Sequence, residues 1–281
     1  MTPSGLFVGL ATLDVVQRVD RLPERNQKIT ATHTWLAAGG PATVAAIAFA
    51  TQGGRARLWT ALGSGAAADA IRADLASVGV EVIDAAPFGF EVATSSVLLD
   101  AATGERAVVS GSGHRPVLAE PVATELRETD VVLVDGHHPE LALSAAVTAA
   151  RTGVPVVVDA GSHKPVFDEL LPLATDVICS ADYAHPSGRV PSGLLGLSRV
   201  RLVAVSHGGA SLDWWTDAAS GQVQPPSGAV VDTLSAGDVL HGAYAFGLAS
   251  GLNRCGALEF GVQAASARVR HLGPFAWRTG T

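Results

Sequence analysis

Val231-Asp232-Thr233-Leu234-Ser235-Ala236-Gly237-Asp238 runs straight into the apolar stretch Val239 to Leu248. Small residues followed by one acid, where a strand-like segment gives way to a helix, describe a helix N-terminus able to receive an anion. The first backbone N–H groups there have no partner inside the helix, and the helix dipole favours negative charge. Phosphate is the anion this predicts. Asp238 cannot serve to bind it, because like charges repel, so its expected role is that of a base taking a proton from an attacking hydroxyl. The chemistry that follows is phosphoryl transfer. A plainer assignment makes Asp232 or Ser235 an N-cap and Asp238 a first-turn acid complementing the dipole, and spacing alone does not separate the two.

Composition sets the frame for this segment. The chain has 281 residues, of which 48% are hydrophobic and only 16% charged, with no block of like charge. That is enough to bury a large core, and it argues against disordered tails. A net charge of -7 argues against a nucleic-acid surface, and an anionic ligand then needs basic residues gathered locally. Cys179 and Cys255 lie in apolar surroundings without metal-ligand spacing and read as core thiols of a reducing compartment. No apolar run approaches membrane-spanning length, and no basic region precedes an apolar stretch at the N-terminus. The expected location is the cytoplasm, with no membrane partner.

Apolar runs alternate with helical periodicity along most of the chain. Phe7 to Leu13 reads as a buried first strand ending at Asp14, which places a carboxylate where open α/β sheets contact ligands. Val15 to Trp35 reads as two exposed strands joined around Leu22-Pro23-Glu24-Arg25-Asn26. Gly39-Gly40-Pro41-Ala42-Thr43 then opens a helix at 44–51, with Pro41 in a first-turn position that loses no hydrogen bond. Strands are predicted at 57–61, 80–83, 131–134, 154–159, 177–179 and 201–205, and helices at 69–78, 140–151, 164–173 and 257–269. That alternation belongs to a parallel sheet covered on both faces. Val92 to Asp100 and Ala107 to Ser110, separated by Thr103-Gly104, read as a hairpin. His137-His138 invites a metal assignment, but neighbouring side chains on an extended segment point to opposite faces, and no further ligand lies at a useful spacing.

Asp-Thr-Leu-Ser-Ala-Gly-Asp before a Gly/Ala-rich helix resembles the C-terminal signature of the ribokinase-like (PfkB) carbohydrate kinases, Asp-Thr-x-Gly-Ala-Gly-Asp. Further matches run along nearly the whole chain, and the ketohexokinase and sulfofructose kinase branches are nearest. The resemblance implies a three-layer α/β sandwich with a mostly parallel central sheet and a small β lid, all in one domain over 1–281. The lid segments fall at about 14–36 and 88–112, and such lids often pair with that of a second subunit, so a homodimer is expected. It also implies ATP and Mg2+, together with a monovalent cation.

Residue by residue, the resemblance makes Asp238 the base and Ser235, Ala236 and Gly237 the anion hole. Asp14, Lys28, Gly39, Gly40, Thr43, Arg106 and His137 fall on the acceptor side. Ser180, Ser206, Gly208, Gly209, Ser211, Pro226 and Gly237 fall on the nucleotide side, and Asp182 is the nearest carboxylate for the metal. Four departures stand out. Ser235 replaces the first glycine of the signature, and Pro41 and Val44 stand where related kinases carry sugar-gripping asparagines. His137 stands where the sulfofructose branch has an arginine, which removes the expected sulfonate contact. Ser180-Ala181-Asp182-Tyr183 replaces Asn-x-x-Glu.

The reading that results is ATP-dependent phosphorylation of a primary hydroxyl on a sugar or sugar-like molecule. The departures also suit a member of the same fold that binds nucleotide or sugar without catalysis. A third possibility arises from Ala204-Val205-Ser206-His207-Gly208, which is close to the Gly-x-Ser-x-Gly elbow of α/β hydrolases, but that elbow must feed a helix and a strand-like stretch follows instead.

Overall fold

The computed structural model describes residues 1–111, 126, 128–188 and 191–278. Seven parallel strands make the body of a nine-stranded sheet: β11 (Leu202–Ser206), β10 (Asp176–Ser180), β9 (Val156–Ala160), β8 (Val131–Val134), β1 (Ser4–Val8), β4 (Arg55–Thr60) and β5 (Glu81–Asp84), in that spatial order. β12 (Leu212–Trp215) and β13 (Ser220–Val223) extend the β11 edge antiparallel. The parallel strands are continuous runs of Val, Leu, Ile and Ala because helices cover both faces. β8 and β1 are wholly buried.

Helices α1 (Pro41–Thr51), α2 (Ala66–Ser77), α3 (Pro139–Thr152), α5 (Ala236–Ala249) and α6 (Arg254–Arg268) supply the cover, with a single turn α4 at Phe167–Leu170. Small residues let α1 and α5 approach closely. A side chain at Gly242 would place its Cβ 2.2 Å from the Ala45 carbonyl, which accounts for the glycine- and alanine-rich composition of both helices.

Above the carboxyl ends of the strands lies a second, four-stranded sheet in the order β3 (His33–Gly39), β2 (Thr12–Val19), β6 (Ala93–Asp100) and β7 (Arg106–Ser110). It has a small core of its own, in which Val16, Val97 and Leu99 enclose Leu234 from the segment before α5, with Trp35 packed against them. The hairpin between β6 and β7 is bonded to the same segment: the Gly104 carbonyl accepts from the Thr233 N–H at 3.2 Å and from its hydroxyl at 2.9 Å. The expected lid is therefore a sheet joined to the main body through residues 233 and 234; position 112 of the second lid segment lies outside the described residues.

Two expectations need correction. The apolar run from Phe7 is not one strand: it breaks after Val8, and Asp14 lies inside β2 of the small sheet. The cause is Asp135, whose carboxylate occupies the space where a Gly9 side chain would stand and accepts the Leu10 N–H at 2.9 Å. The predicted helix at 164–173 shrinks to α4 and a 3-10 turn at Leu171–Leu173, because Pro165 and Pro172 interrupt its hydrogen-bonding ladder. Both cysteines are free, and Cys179 is buried. No helix among the described residues is long and apolar enough to cross a membrane.

Candidate active site

A cleft of about 690 Å³ opens where the carboxyl ends of β9, β10 and β11 face the amino end of α5, the position at which open parallel sheets take ligands. Ser235 caps α5 in the left-handed conformation, φ 59° and ψ 16°, and its hydroxyl caps no helix N–H. A non-glycine residue there costs roughly 1–2 kcal/mol. In exchange, the backbone presents the first-turn N–H groups of α5 to the cleft. The Ala236 N–H lies 3.4 Å from the Thr233 carbonyl, a long contact, while Gly237 is exposed with open space around its Cα.

Asp238 follows in the same turn and lines the cleft. Withdrawal from water is the main cause that raises its carboxyl from the ordinary 3.8 to about 6; the charges of Asp159 and Asp14 push the same way, and those of His241 and Arg106 oppose them. A carboxylate raised from 3.8 to about 6 has come about two-thirds of the way to the neutral value that suits a base working near pH 7.

Asp159 and His241 belong to the cleft although sequence reasoning did not single them out. Both are buried and line the cleft. His241 Nδ1 lies 2.6 Å from the Gly237 carbonyl and 3.5 Å from an Asp159 oxygen, and Nε2 lies 3.3 Å from the Ile178 carbonyl. The ring thus lies between the first turn of α5 and the middle of β10. A signal did exist: His241 stands one helical turn past Asp238, on the same face, and Asp159 ends a buried strand as Asp14 was expected to do.

On the acceptor side, Asp14 accepts from the Thr12 hydroxyl at 2.7 Å and from Ser95. Burial raises its carboxyl despite those two bonds. Its charge reaches Asp238, and with Ser235 it lines a small gap beneath the lid. Arg106, at the start of β7, lines the main cleft and donates to the Thr233 carbonyl at 3.4 Å. Gly39 lies against Asp14, and Gly40, with φ 100°, caps α1 where a Cβ would meet the Leu10 carbonyl at 2.2 Å.

Three acceptor-side candidates are not among the residues that line the main cleft. Thr43 is fully buried and donates its hydroxyl to the Leu10 carbonyl at 2.8 Å, so it secures the chain before β2 and offers the cleft nothing. Lys28 is exposed on the β2–β3 connection, away from the residues that line the cleft. His137 lies 3.2 Å from buried Asp135, also outside the lining. Burial raises the Asp135 carboxyl, but the charge and ring of His137 and the N–H groups of His137 and Leu10 outweigh it and hold the group well below the usual range.

On the nucleotide side the cleft gathers Ser180, Ser206, Gly208, Gly209 and Pro226 along one wall, with Asp182 exposed at its mouth. Ser211 is not among the lining residues, although Ala210 and Leu212 on either side are. β11 passes through the turn at 207–210 into antiparallel β12, and His207 pairs with Asp213 at 3.0 Å, so Ser206 is on no nucleophile elbow. No cluster of three or more metal-ligating side chains occurs among the described residues.

Fold and site together define a class, and comparison with known proteins gives the same one. Residues 4–276 match the model of the pfkB family carbohydrate kinases, and the chain belongs to that family. It is a carbohydrate kinase. Over 285 residues it is 28% identical to the ATP-dependent ribose-1-phosphate kinase of Halopiger xanaduensis, spanning 92% of this chain and 93% of that protein. A crystal structure from Agrobacterium tumefaciens, assigned as a ribokinase, superposes with a TM-score of 0.85 at 28% identity, covering 97% of this chain and 93% of the other. The ribokinase of Arabidopsis thaliana complexed with ribose and ATP shares the fold at a TM-score of 0.74 and 20% identity, covering 99% and 96%.

Proposed function

We propose that the protein transfers the γ-phosphoryl group of ATP to a primary hydroxyl of a ribose-type sugar or sugar phosphate. The observation that carries this reading is the cleft itself: it joins Asp238, the 235–237 turn and the glycine-lined wall at 206–209, and the lid brings Arg106 to the same space.

In this mechanism Asp238 takes the acceptor hydroxyl proton as the oxygen attacks the γ-phosphorus. One O–P bond forms, the bond to the β–γ bridging oxygen breaks, and ADP leaves. The N–H groups of Ala236 and Gly237, with the Ser235 hydroxyl, hold the charge that develops on the phosphoryl oxygens. Asp14 accepts hydrogen bonds from the sugar, and Arg106 faces its anionic end. Ser180, Ser206, Gly208, Gly209 and Pro226 form the nucleotide wall. Asp159 and Asp182 suit a magnesium ion held mostly by water and phosphate, as this ion prefers, and when bound it neutralises phosphate charge.

The whole chain acts as one domain with the small sheet as its lid. Leu36, Val108 and Val109 are exposed on that sheet, and they support a homodimer formed lid to lid. Its free cysteines suit the cytoplasm.

A coupled assay for ADP across ribose, ribose phosphates, fructose and nucleosides tests the reading. ADP release that depends on one of these acceptors is expected, with more than tenfold preference within the panel; no acceptor-dependent release from any of them would remove it. Sedimentation of the wild type and of Leu36→Lys/Val109→Lys tests the dimer, which the double substitution should convert to monomer.

A further inference from the structure

Behind the phosphate turn lies a buried ion pair that the mechanism above does not use. Asp232 and Arg268 are each only 1% exposed, and the Arg268 Nη2 stands 3.1 Å from Asp232 Oδ2. The carboxylate is fully engaged, since it also accepts the Leu234 N–H at 2.8 Å and the Gly273 N–H at 2.9 Å. The guanidinium donates in addition to the His271 carbonyl at 2.8 Å and sits over the Trp277 ring. Arg268 ends α6, so the negative end of that helix dipole adds to the pull on a cation. From there its charge is felt at Asp238.

A carboxylate, a backbone carbonyl and a helix C-terminus converging in a dry space are what a monovalent cation seeks. Here the chain's own guanidinium fills the space and answers the charge, so the residues present do not fit the dissociable cation that the family resemblance implies. The nearest other charged groups do not reopen the site: Arg278, a like charge facing Arg268, is itself paired to Asp74.

We propose that Arg268 is the built-in cation of the phosphate turn, holding Asp232, and through it the Leu234 N–H that leads into Ser235, so that this kinase works without potassium or sodium. Arg268 is thus a positioning residue, and its assignment rests on the kinase reading of the turn.

The test does not need the acceptor. Wild-type protein in potassium chloride and in tetramethylammonium chloride of equal ionic strength should show the same unfolding midpoint, and its Kd for a magnesium-bound non-hydrolysable ATP analogue should agree within about twofold. Arg268→Ala should bind the analogue more weakly, and millimolar potassium or guanidinium should restore both its midpoint and its affinity, whereas Arg268→Lys should remain indifferent to both ions. Tightening of the wild-type Kd by potassium of about tenfold or more, or a folded Arg268→Ala that neither ion rescues, would overturn the assignment. Should Arg268→Ala fail to fold, the wild-type comparison alone decides. Nucleotide binding that ignores potassium, beside a failed sugar panel, would count against the acceptor assignment and leave Arg268 standing.

Discussion

The Asp14 carboxylate occupies the space in which a side chain at Gly39 would stand: a Cβ there would lie 2.1 Å from Asp14 Oδ2. The absence of one atom in β3 thus sets the position of an acid in β2, directly beside it in the small sheet. Gly39→Ala should displace that carboxylate, destabilising the fold by about 1–3 kcal/mol as an overpacked site does and raising the acceptor KM with little change in nucleotide affinity. Because the clash is with Asp14 itself, the same substitution in an Asp14→Ala background should cost clearly less. Thermal unfolding of the four proteins of that cycle measures the coupling, and additive losses would dismiss the steric account.

Asp238→Asn should lower kcat by roughly 10² to 10⁴-fold and leave ATP affinity within about twofold. The amide keeps the shape but cannot accept the proton. Single-turnover measurements at saturating ATP decide the matter, and a wild-type rate would remove Asp238 from the mechanism.

The raised carboxyl of Asp238 makes two pH predictions. Since the base must be ionised, kcat/KM should climb through an apparent pKa near 6, and that limb should vanish from the residual activity of Asp238→Asn. For stability the sign is the reverse of the usual acid. The folded protein holds the proton more tightly than the unfolded chain, so ionisation of Asp238 penalises the fold. The penalty is absent below 3.8, grows between 3.8 and about 6, and is complete above that. Its size is on the order of 2–3 kcal/mol. Asp238→Asn should therefore be more stable than wild type at pH 8 and equal to it near pH 3.5, as followed by urea unfolding at both values.

Ser235 holds a left-handed backbone that glycine adopts without strain. Ser235→Gly should stabilise the fold by up to about 1 kcal/mol and leave kcat within about tenfold. Ser235→Ala should be worse than glycine on both counts, since both lose the hydroxyl and only alanine keeps a Cβ on the left-handed backbone. A Ser235→Ala rate equal to that of wild type would show that the serine hydroxyl contributes nothing to the transition state.

Much of the fold was legible because its signals are local. Val131 to Val134 and Leu212 to Trp215 are runs bounded by turn residues, and both strands occur where periodicity puts them. Pro41 and Gly40 mark the start of α1 by their own backbone constraints. The turn before α5 was legible for the same reason. What escaped was fixed by contacts between distant segments. Thr43 has a hydroxyl in the right register, and only the fold turns it toward the Leu10 carbonyl and away from the cleft. The break after Val8 depends on Asp135, more than a hundred residues further on. Asp159 and His241 offered only their places near a strand end and one turn past Asp238, and the pairing of Asp232 with Arg268 offered nothing local; burial and distance single them out.

The two hydrogen bonds that Thr233 donates to the Gly104 carbonyl have a mechanical meaning. With Leu234 held in the small sheet's core, that corner of the sheet cannot travel apart from the phosphate turn, and β3 at the opposite edge is tied to α2, where Asp74 accepts the Ala38 N–H at 2.7 Å. On the proposed mechanism, a sugar bearing on the small sheet would bear on the same backbone that presents N–H groups to ATP, and by reciprocity each ligand would change the affinity of the other by the same factor.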